Sequence, residues 1–339
     1  MIRHPLHRLR VLFLCAVLLA GGCATLQPDP LPSWSEGPAR QAIVDFVRQT
    51  TDATSARFVP ADRRIATFDQ DGTLWVEQPM YAQVMFALDR VRDVVRAQPA
   101  LAGEEPFKTV LSGDRAAMAK LTERDLFRIV AASEGGVSTD EFQEIVKRWL
   151  ATAKHPRFQR PYTDLVYAPM LEAMKYLRAN GYRTYIVTGG GQQFVRAFAE
   201  EVYGIPPEQV VGTMFKLNYE KRDGKPTLMQ APEIFFVDDK GGKPVGINQH
   251  IGRRPIAAFG NSDGDQQMLE WAAGGAGAHL AMIVLHDDAA REYAYGPAAG
   301  QPDSKVGTFT QALHDEAKKS GWIVISMQRD WKRVFAFER

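Results

Sequence analysis

The run Ile65-Ala-Thr-Phe-Asp-Gln-Asp-Gly-Thr-Leu-Trp75 drives an apolar segment straight into two carboxylates, a glycine and a threonine. Ile65 to Phe68 read as a short buried strand, and Gly72 lets the chain turn sharply where that strand ends. Such a strand suits an open α/β sheet, in which ligands bind outside the carboxyl edge. Residues two apart on an extended chain point to the same side, so Asp69 and Asp71 can share one metal and one phosphate. Asp, Gly and Thr also build ordinary β-turns. The segment therefore needs support from elsewhere in the chain.

Support comes from three later places. Arg183-Thr-Tyr-Ile-Val-Thr-Gly-Gly-Gly191 is a second β-rich run ending in a hydroxyl and glycines. Thr188, Gly189 and the free N–H groups of a following helix, patterned by Phe194, Val195, Phe198 and Val202, make a cradle for phosphate. Pro255 to Leu269 is a third strand-to-loop segment that gathers Asn261, Asp263 and Asp265 in one short turn. Oxygen-rich loops of this kind suit a hard cation such as Mg²⁺, although Asp265 also stands where it would simply cap the next helix. Between these segments lies Asp239-Lys-Gly-Gly-Lys243. Lys243 precedes a helical run and is preferred over Lys240 as a phosphate clamp.

In this order, Asp-x-Asp-Gly-Thr, a strand ending in Thr-Gly, a lysine and Gly-Asn-Ser-Asp-Gly-Asp, the pieces resemble the haloacid dehalogenase superfamily, and within it phosphatases of the phosphoserine-phosphatase type. The resemblance implies a Rossmann-like α/β/α parallel sheet, Mg²⁺ dependence and an aspartyl-phosphate intermediate. It makes Asp69 the nucleophile, Asp71 the general acid/base, Thr188, Gly189 and Lys243 phosphate ligands, and Asp69, Asp71, Asn261 and Asp265 the metal set. Dehalogenases displace halide and lack an acid at the position of Asp71, so phosphate monoesters are the expected substrates. The chain departs from the pattern at Asn261, where these phosphatases carry a metal-ligating Asp. An amide can still ligate Mg²⁺ but brings no charge.

Residues 76–161 read as helices, Gln83–Gln98, Phe107–Lys120, Thr122–Ala132 and Thr139–Ala151, and resemble the helical cap inserted between the first two motifs. A cap excludes water and favours small phosphorylated substrates over phosphoproteins. Glu77 at its hinge lies near the place where phosphoserine phosphatases carry a glutamate that meets the substrate amine. Phosphoserine- or phosphocholine-like esters are thus the sharper expectation. The core is expected over 38–75 and 162–339, with His279 to His286 a further strand whose histidines are structural. Helix and strand patterns over 308–320 and 321–327 complete it.

The chain opens with Arg3, Arg8 and Arg10 before the apolar run Val11 to Ala20, too short for a stable bilayer span and read as a signal peptide over 1–22. Leu19-Ala-Gly-Gly-Cys23 resembles a bacterial lipobox, with Cys23 the lipidated residue and 23–37 a proline-rich tether. The expected address is the periplasmic face of a bacterial membrane, reached through that lipid, with Ala24 in place of Asp after the cysteine compatible with the outer membrane. Cys15 would go with the leader, leaving no internal disulfide. Of 41 basic and 40 acidic side chains the leader removes three arginines, so formal charge falls from +1 to −2. That balance gives no reason to expect nucleic acid. Two other functions fit the same motifs: another hydrolase activity, such as a pyrophosphatase, and a non-catalytic surface lipoprotein with a degenerate metal site.

Overall fold

A computed structural model describes residues 29–338. The expected leader and Cys23 lie outside them. Helix α1 (Pro38–Thr51) precedes strand β1 (Ile65–Phe68), and five helices follow: α2 (Ala82–Ala97), α3 (Phe107–Ser112), α4 (Arg115–Met118), α5 (Glu123–Glu134) and α6 (Thr139–Thr152). Then come α7 (Ala168–Ala179), β2 (Arg183–Gly191), α8 (Gln192–Arg196), α9 (Ala199–Tyr203), β3 (Val210–Arg222) and β4 (Lys225–Phe236). The chain closes with α10 (Gly242–Ile251), β5 (Ala257–Gly260), α11 (Gln266–Ala273), β6 (Leu280–Leu285), α12 (Gln311–Lys319), β7 (Ile323–Ser326) and α13 (Met327–Asp330).

The strands form one sheet in the order β4-β3-β2-β1-β5-β6-β7, parallel except for β3 against β4. β1 is central because all four of its residues are apolar or small enough to be buried on both faces. Its register sets Ile65 opposite Arg183 on one side and Ala66 opposite Ala257 on the other. Phe68 and Phe259 stack across this pairing, ring centroids 4.4 Å apart. β1, β2 and β5 consequently deliver Asp69, Thr188 and Asn261 to one edge. The strands expected after the last motif are β6 and β7.

Helices α2 to α6 occupy the stretch between β1 and α7 expected to form a cap. Thr122 with Asp125, and Ser138 with Glu141, form capping boxes that fix the starts of α5 and α6. Ala87, Val91, Val94, Phe107, Ile129 and Ala132 give α2, α3 and α5 a small core of their own. The apolar stripe of α6 packs as expected, but into the main core: Phe142 lies edge-on to Phe86, which also meets Phe194 of α8.

Three local readings need correction. The sheet is not wholly parallel, because β3 and β4 form a long hairpin closed by Asp223 and Gly224 at φ 50° and 78°, the two left-handed residues that a type I′ turn requires. The helix expected after Gly191 breaks at Ala197 and Phe198 into the short α8 and α9. The expected tether does not reach residue 37. Leu31 and Trp34 are buried, Ser33 Oγ donates to Glu172 at 2.7 Å, and Trp34 Nε1 donates to the Pro169 carbonyl, so the apolar side chains dock this segment on α7.

Candidate active site

The turn after β1 is drawn tight by backbone bonds from Gly72 N–H to the Trp75 carbonyl and from Leu74 N–H to that of Gln70. Gly72 has φ 75°, which a side chain would resist. Asp69 Oδ1 accepts from Lys243 Nζ at 2.5 Å, and the same ammonium reaches Asp265 Oδ1 at 2.6 Å and the Val187 carbonyl at 3.0 Å. Lys243 is only 2% exposed, whereas Lys240 is exposed. Of the two lysines, it is Lys243 that α10 turns inward, to the Val187 carbonyl of β2.

Burial lifts the pKa of Asp69 well above the ordinary carboxylate range, the charge of Asp265 adds to that, and Lys243 opposes it. Burial would lower Lys243, but Asp265 and Asp69 outweigh it and hold the ammonium firmly protonated. Asp71 Oδ1 accepts from Trp75 Nε1 at 2.7 Å. Burial pushes Asp71 up to about 6 against that bond and Lys243, the range in which a carboxyl can both give and take a proton near neutrality.

Thr188 is buried at the end of β2, its Oγ1 accepting from Gly190 N–H at 3.0 Å. A Cβ on Gly190 would stand 3.3 Å from Thr188 Oγ1 and 3.8 Å from Asp71 Oδ2. The glycine loop thus passes directly beside the acid, and Gly189 beside Asp239.

The expected metal set is only partly assembled. Asp265 has both oxygens occupied, Oδ1 by Lys243 and Oδ2 by the N–H groups of Asn261 and Ser262. It braces the lysine and caps its own turn, so the expectation that it faces a cation is set aside. Asp263 Oδ1 accepts from the Thr310 N–H and hydroxyl. Asn261 is buried, with Oδ1 accepting from Thr73 Oγ1 at 3.1 Å and Nδ2 donating to Glu77 Oε1 at 2.7 Å. Among the described residues no three His, Cys, Asp or Glu side chains are grouped so as to hold a metal ion. Mg²⁺ needs no such cage, since it commonly keeps several waters and takes one or two carboxylates plus phosphate oxygens. The chemistry of the donors fits a hard cation: Asp69 and Asp265 share the ammonium of Lys243, and Asp71, two residues past Asp69, adds a carboxylate with no ion-pair partner among the described residues.

Glu77, expected to meet a substrate amine, is tied into the core instead. Its Oε1 accepts from Asn261 and from the Tyr295 hydroxyl at 2.8 Å. Trp75 and Phe86 pack the hinge, Trp75 stacking on Phe198. Behind the Asp71–Gly72 turn stands His286, expected to be structural and without a partner. Its Nε2 is 2.8 Å from the Gly72 carbonyl, and since a carbonyl only accepts, that nitrogen carries the hydrogen. Its Nδ1 faces Glu292 Oε2 at 3.0 Å. The available signal was its position, one residue past a strand that ends at the same edge as β1 and β5.

From the cap, Gln83 Oε1 accepts from Gly191 N–H and its Nε2 donates to Glu134 Oε1, both at 2.7 Å. Gln83 of α2 thus ties the glycine loop to α5, and Asp69 is only 7% exposed. A cavity of about 790 Å³ opens elsewhere, between α8 and the base of the hairpin, lined by Gln192, Arg196, Phe215 and Phe235. It touches none of these carboxylates.

A haloacid dehalogenase-like hydrolase family model matches residues 66–270. The chain belongs to that family. No curated protein matches it significantly. Among solved structures, a functionally unknown protein from Anaerococcus prevotii is 18% identical, with 74% of this chain and 86% of that one covered at TM-score 0.51. A protein of unknown function from Bordetella pertussis, also 18% identical, covers 78% and 98% at 0.48. A phosphoserine phosphohydrolase-like protein from Francisella tularensis is 17% identical, covering 66% and 88% at 0.36. At these identities the Anaerococcus likeness speaks for the fold alone, and the two lower scores carry no argument.

Proposed function

We propose that this hydrolase is a Mg²⁺-dependent phosphomonoesterase acting on small phosphate esters through an aspartyl-phosphate on Asp69. The observation that carries the reading is Lys243 Nζ held between Asp69 and Asp265, with Asp71 two residues beyond the nucleophile on a turn pinned at the sheet edge. That is what attack on a phosphate dianion needs: a carboxylate whose repulsion is screened and a nearby acid.

Asp69 attacks phosphorus as the ester P–O bond breaks, while Asp71 delivers its proton to the departing alkoxide. Asp71, now ionised, takes a proton from water as that water attacks the acyl phosphate, releasing inorganic phosphate and restoring Asp69. Lys243 stays protonated throughout and offsets charge on the phosphoryl oxygens, and Thr188 and Gly189 border the space they occupy. A bound Mg²⁺ would supply the rest of that charge compensation, held by Asp69 and Asp71.

Glu77 Oε1 is taken by Asn261 and Tyr295, so phosphoserine and phosphocholine enter as members of a substrate panel beside pyrophosphate. Export and a lipid at Cys23 belong to the same proposal, supported by the arginine-led apolar leader and Leu19-Ala-Gly-Gly-Cys23. The test is phosphate release from p-nitrophenyl phosphate with Mg²⁺ or EDTA, beside Asp69→Asn. Turnover that requires both the metal and Asp69 is expected. No turnover across several divalent metals and pH values would make this a binding protein.

A further inference from the structure

The turn that carries Asp71 is held from behind by a side chain with no part in the proton transfers. His286 follows directly on β6, is only 2% exposed, and gives its Nε2–H to the Gly72 carbonyl at 2.8 Å. The N–H of Gly72 is bonded to the Trp75 carbonyl, and Trp75 Nε1 donates to Asp71 Oδ1. A bond on the Gly72 carbonyl thus steadies the acid through two short steps. The N–H bonds of Gly72 and Leu74 close the turn on itself, whereas His286 ties it to a strand two places away in the sheet.

Glu292 fixes how the imidazole presents itself. It is fully buried, and its Oε2 lies 3.0 Å from Nδ1. A ring nitrogen and a carboxylate oxygen with no hydrogen between them would repel, so the pair holds a proton there as well as the one on Nε2. Whether that inner proton rests on Nδ1 or on Oε2, Nε2 keeps its own and aims it at Gly72. The loop bearing Glu292 is itself fastened, because Arg291 Nη1 and Nη2 donate to the carbonyls of Trp331 and Met327 at 2.9 and 2.8 Å. Tyr295 stacks on the imidazole with ring centroids 4.4 Å apart. Both nitrogens and one face of the ring are therefore engaged.

We infer that His286 is a positioning residue for the reaction, oriented by Glu292, whose bond to the Gly72 carbonyl keeps Asp71 within reach of the departing alkoxide. It acts through Gly72 rather than on the substrate. The inference rests on the phosphatase reading above and assigns the role to a residue outside all four motif segments. A turn freed of this bond has only to shift by about 1 Å to lose on the order of 100-fold in rate.

Two substitutions separate this role from packing. His286→Gln sets an amide nitrogen near the place of Nε2, keeping a donor for Gly72 and giving up the bond to Glu292. His286→Asn reaches only as far as Nδ1, keeping a donor for Glu292 and giving up Gly72. The experiment is steady-state kinetics on p-nitrophenyl phosphate with Mg²⁺, with amide hydrogen exchange over residues 70–76, on the full-length wild type and both variants. His286→Asn is expected to lower kcat by about tenfold or more with KM changed by less than about threefold, and to speed that exchange. His286→Gln is expected to keep kcat within about threefold of wild type and the exchange slow. A merely structural histidine would lower the melting temperature in both and leave kcat of the folded protein alone. Wild-type kcat in His286→Asn, a loss there confined to KM, or a His286→Gln no faster than His286→Asn overturns the inference. Should His286→Asn fail to fold by circular dichroism, His286→Gln decides, and a kcat more than about tenfold below wild type overturns the inference. If neither folds, the imidazole serves the fold as a whole and the inference is overturned. Absence of wild-type turnover would refute the phosphatase, while exchange over residues 70–76 would still judge whether His286 holds the turn.

Discussion

Replacing Glu134 by Gln should make the protein more resistant to alkaline pH. Glu134 ends α5, is fully buried, and offers Oε1 to Gln83 while Oε2 has no partner. Burial raises its pKa from 4.5 to about 8, the Gln83 bond opposing. The folded state then holds this proton more tightly than the unfolded chain. The stabilisation is complete below the unfolded value and is lost as pH climbs through the folded one. The interval from 4.5 to about 8 corresponds to about 5 kcal/mol in all, of which about 4 kcal/mol falls between pH 5 and pH 9. Gln keeps the neutral form at every pH. Urea unfolding followed by circular dichroism at pH 5 and pH 9 measures the difference. Asp71 and Asp238 also shed protons in this range, so the quantity to read is variant minus wild type. The two proteins should agree within about 1 kcal/mol at pH 5 and differ by about 4 kcal/mol at pH 9, with the variant the more stable. The same pH slope in both would refute the account of Glu134 as a buried neutral acid.

Two further outcomes follow from the site. Lys243→Met leaves Asp69 and Asp265 facing each other without their cation, and should cost about 3–5 kcal/mol in chemical denaturation along with all phosphate release. Retained activity would remove the lysine from the mechanism. Trp75→Phe deletes the donor that favours ionised Asp71, so the Asp71 pKa should rise above about 6. The alkaline limb of the kcat profile should then move up by about one pH unit. An unmoved limb would mean that Asp71 is not the acid that governs it.

The parts of the site legible in the sequence were those written in contiguous residues. Strand, turn and carboxylates sit together at Asp69–Asp71, strand and glycines at Thr188–Gly191, and the same locality placed β5 and its loop. Lys243 was favoured over Lys240 by the helix that follows it, and helix geometry does turn it inward. What failed was anything decided by a partner far along the chain. Asp265 reads alone as either ligand or cap, and only the arrival of Lys243 and two loop amides settles which oxygen does what. Glu77, read as a hinge residue near a substrate amine, is met by Asn261, Tyr295 and Gly307, each more than 180 residues away. The β3–β4 hairpin is a different kind of miss, since Asp223-Gly224 between alternating residues is a local turn signal.

That hairpin also fixes how the site can be reached. Gly136 N–H bonds to the Gln230 carbonyl and Gln230 N–H to that of Val137, so the link between α5 and α6 is stitched to β4 as if it were one more strand. Gln83 supplies a second stitch, to Gly191. Lifting these helices away from Asp69 as a loose flap would break all three bonds. The stitches either break together or carry the far half of the hairpin with them, so the outermost ribbon of the sheet becomes the handle of the door.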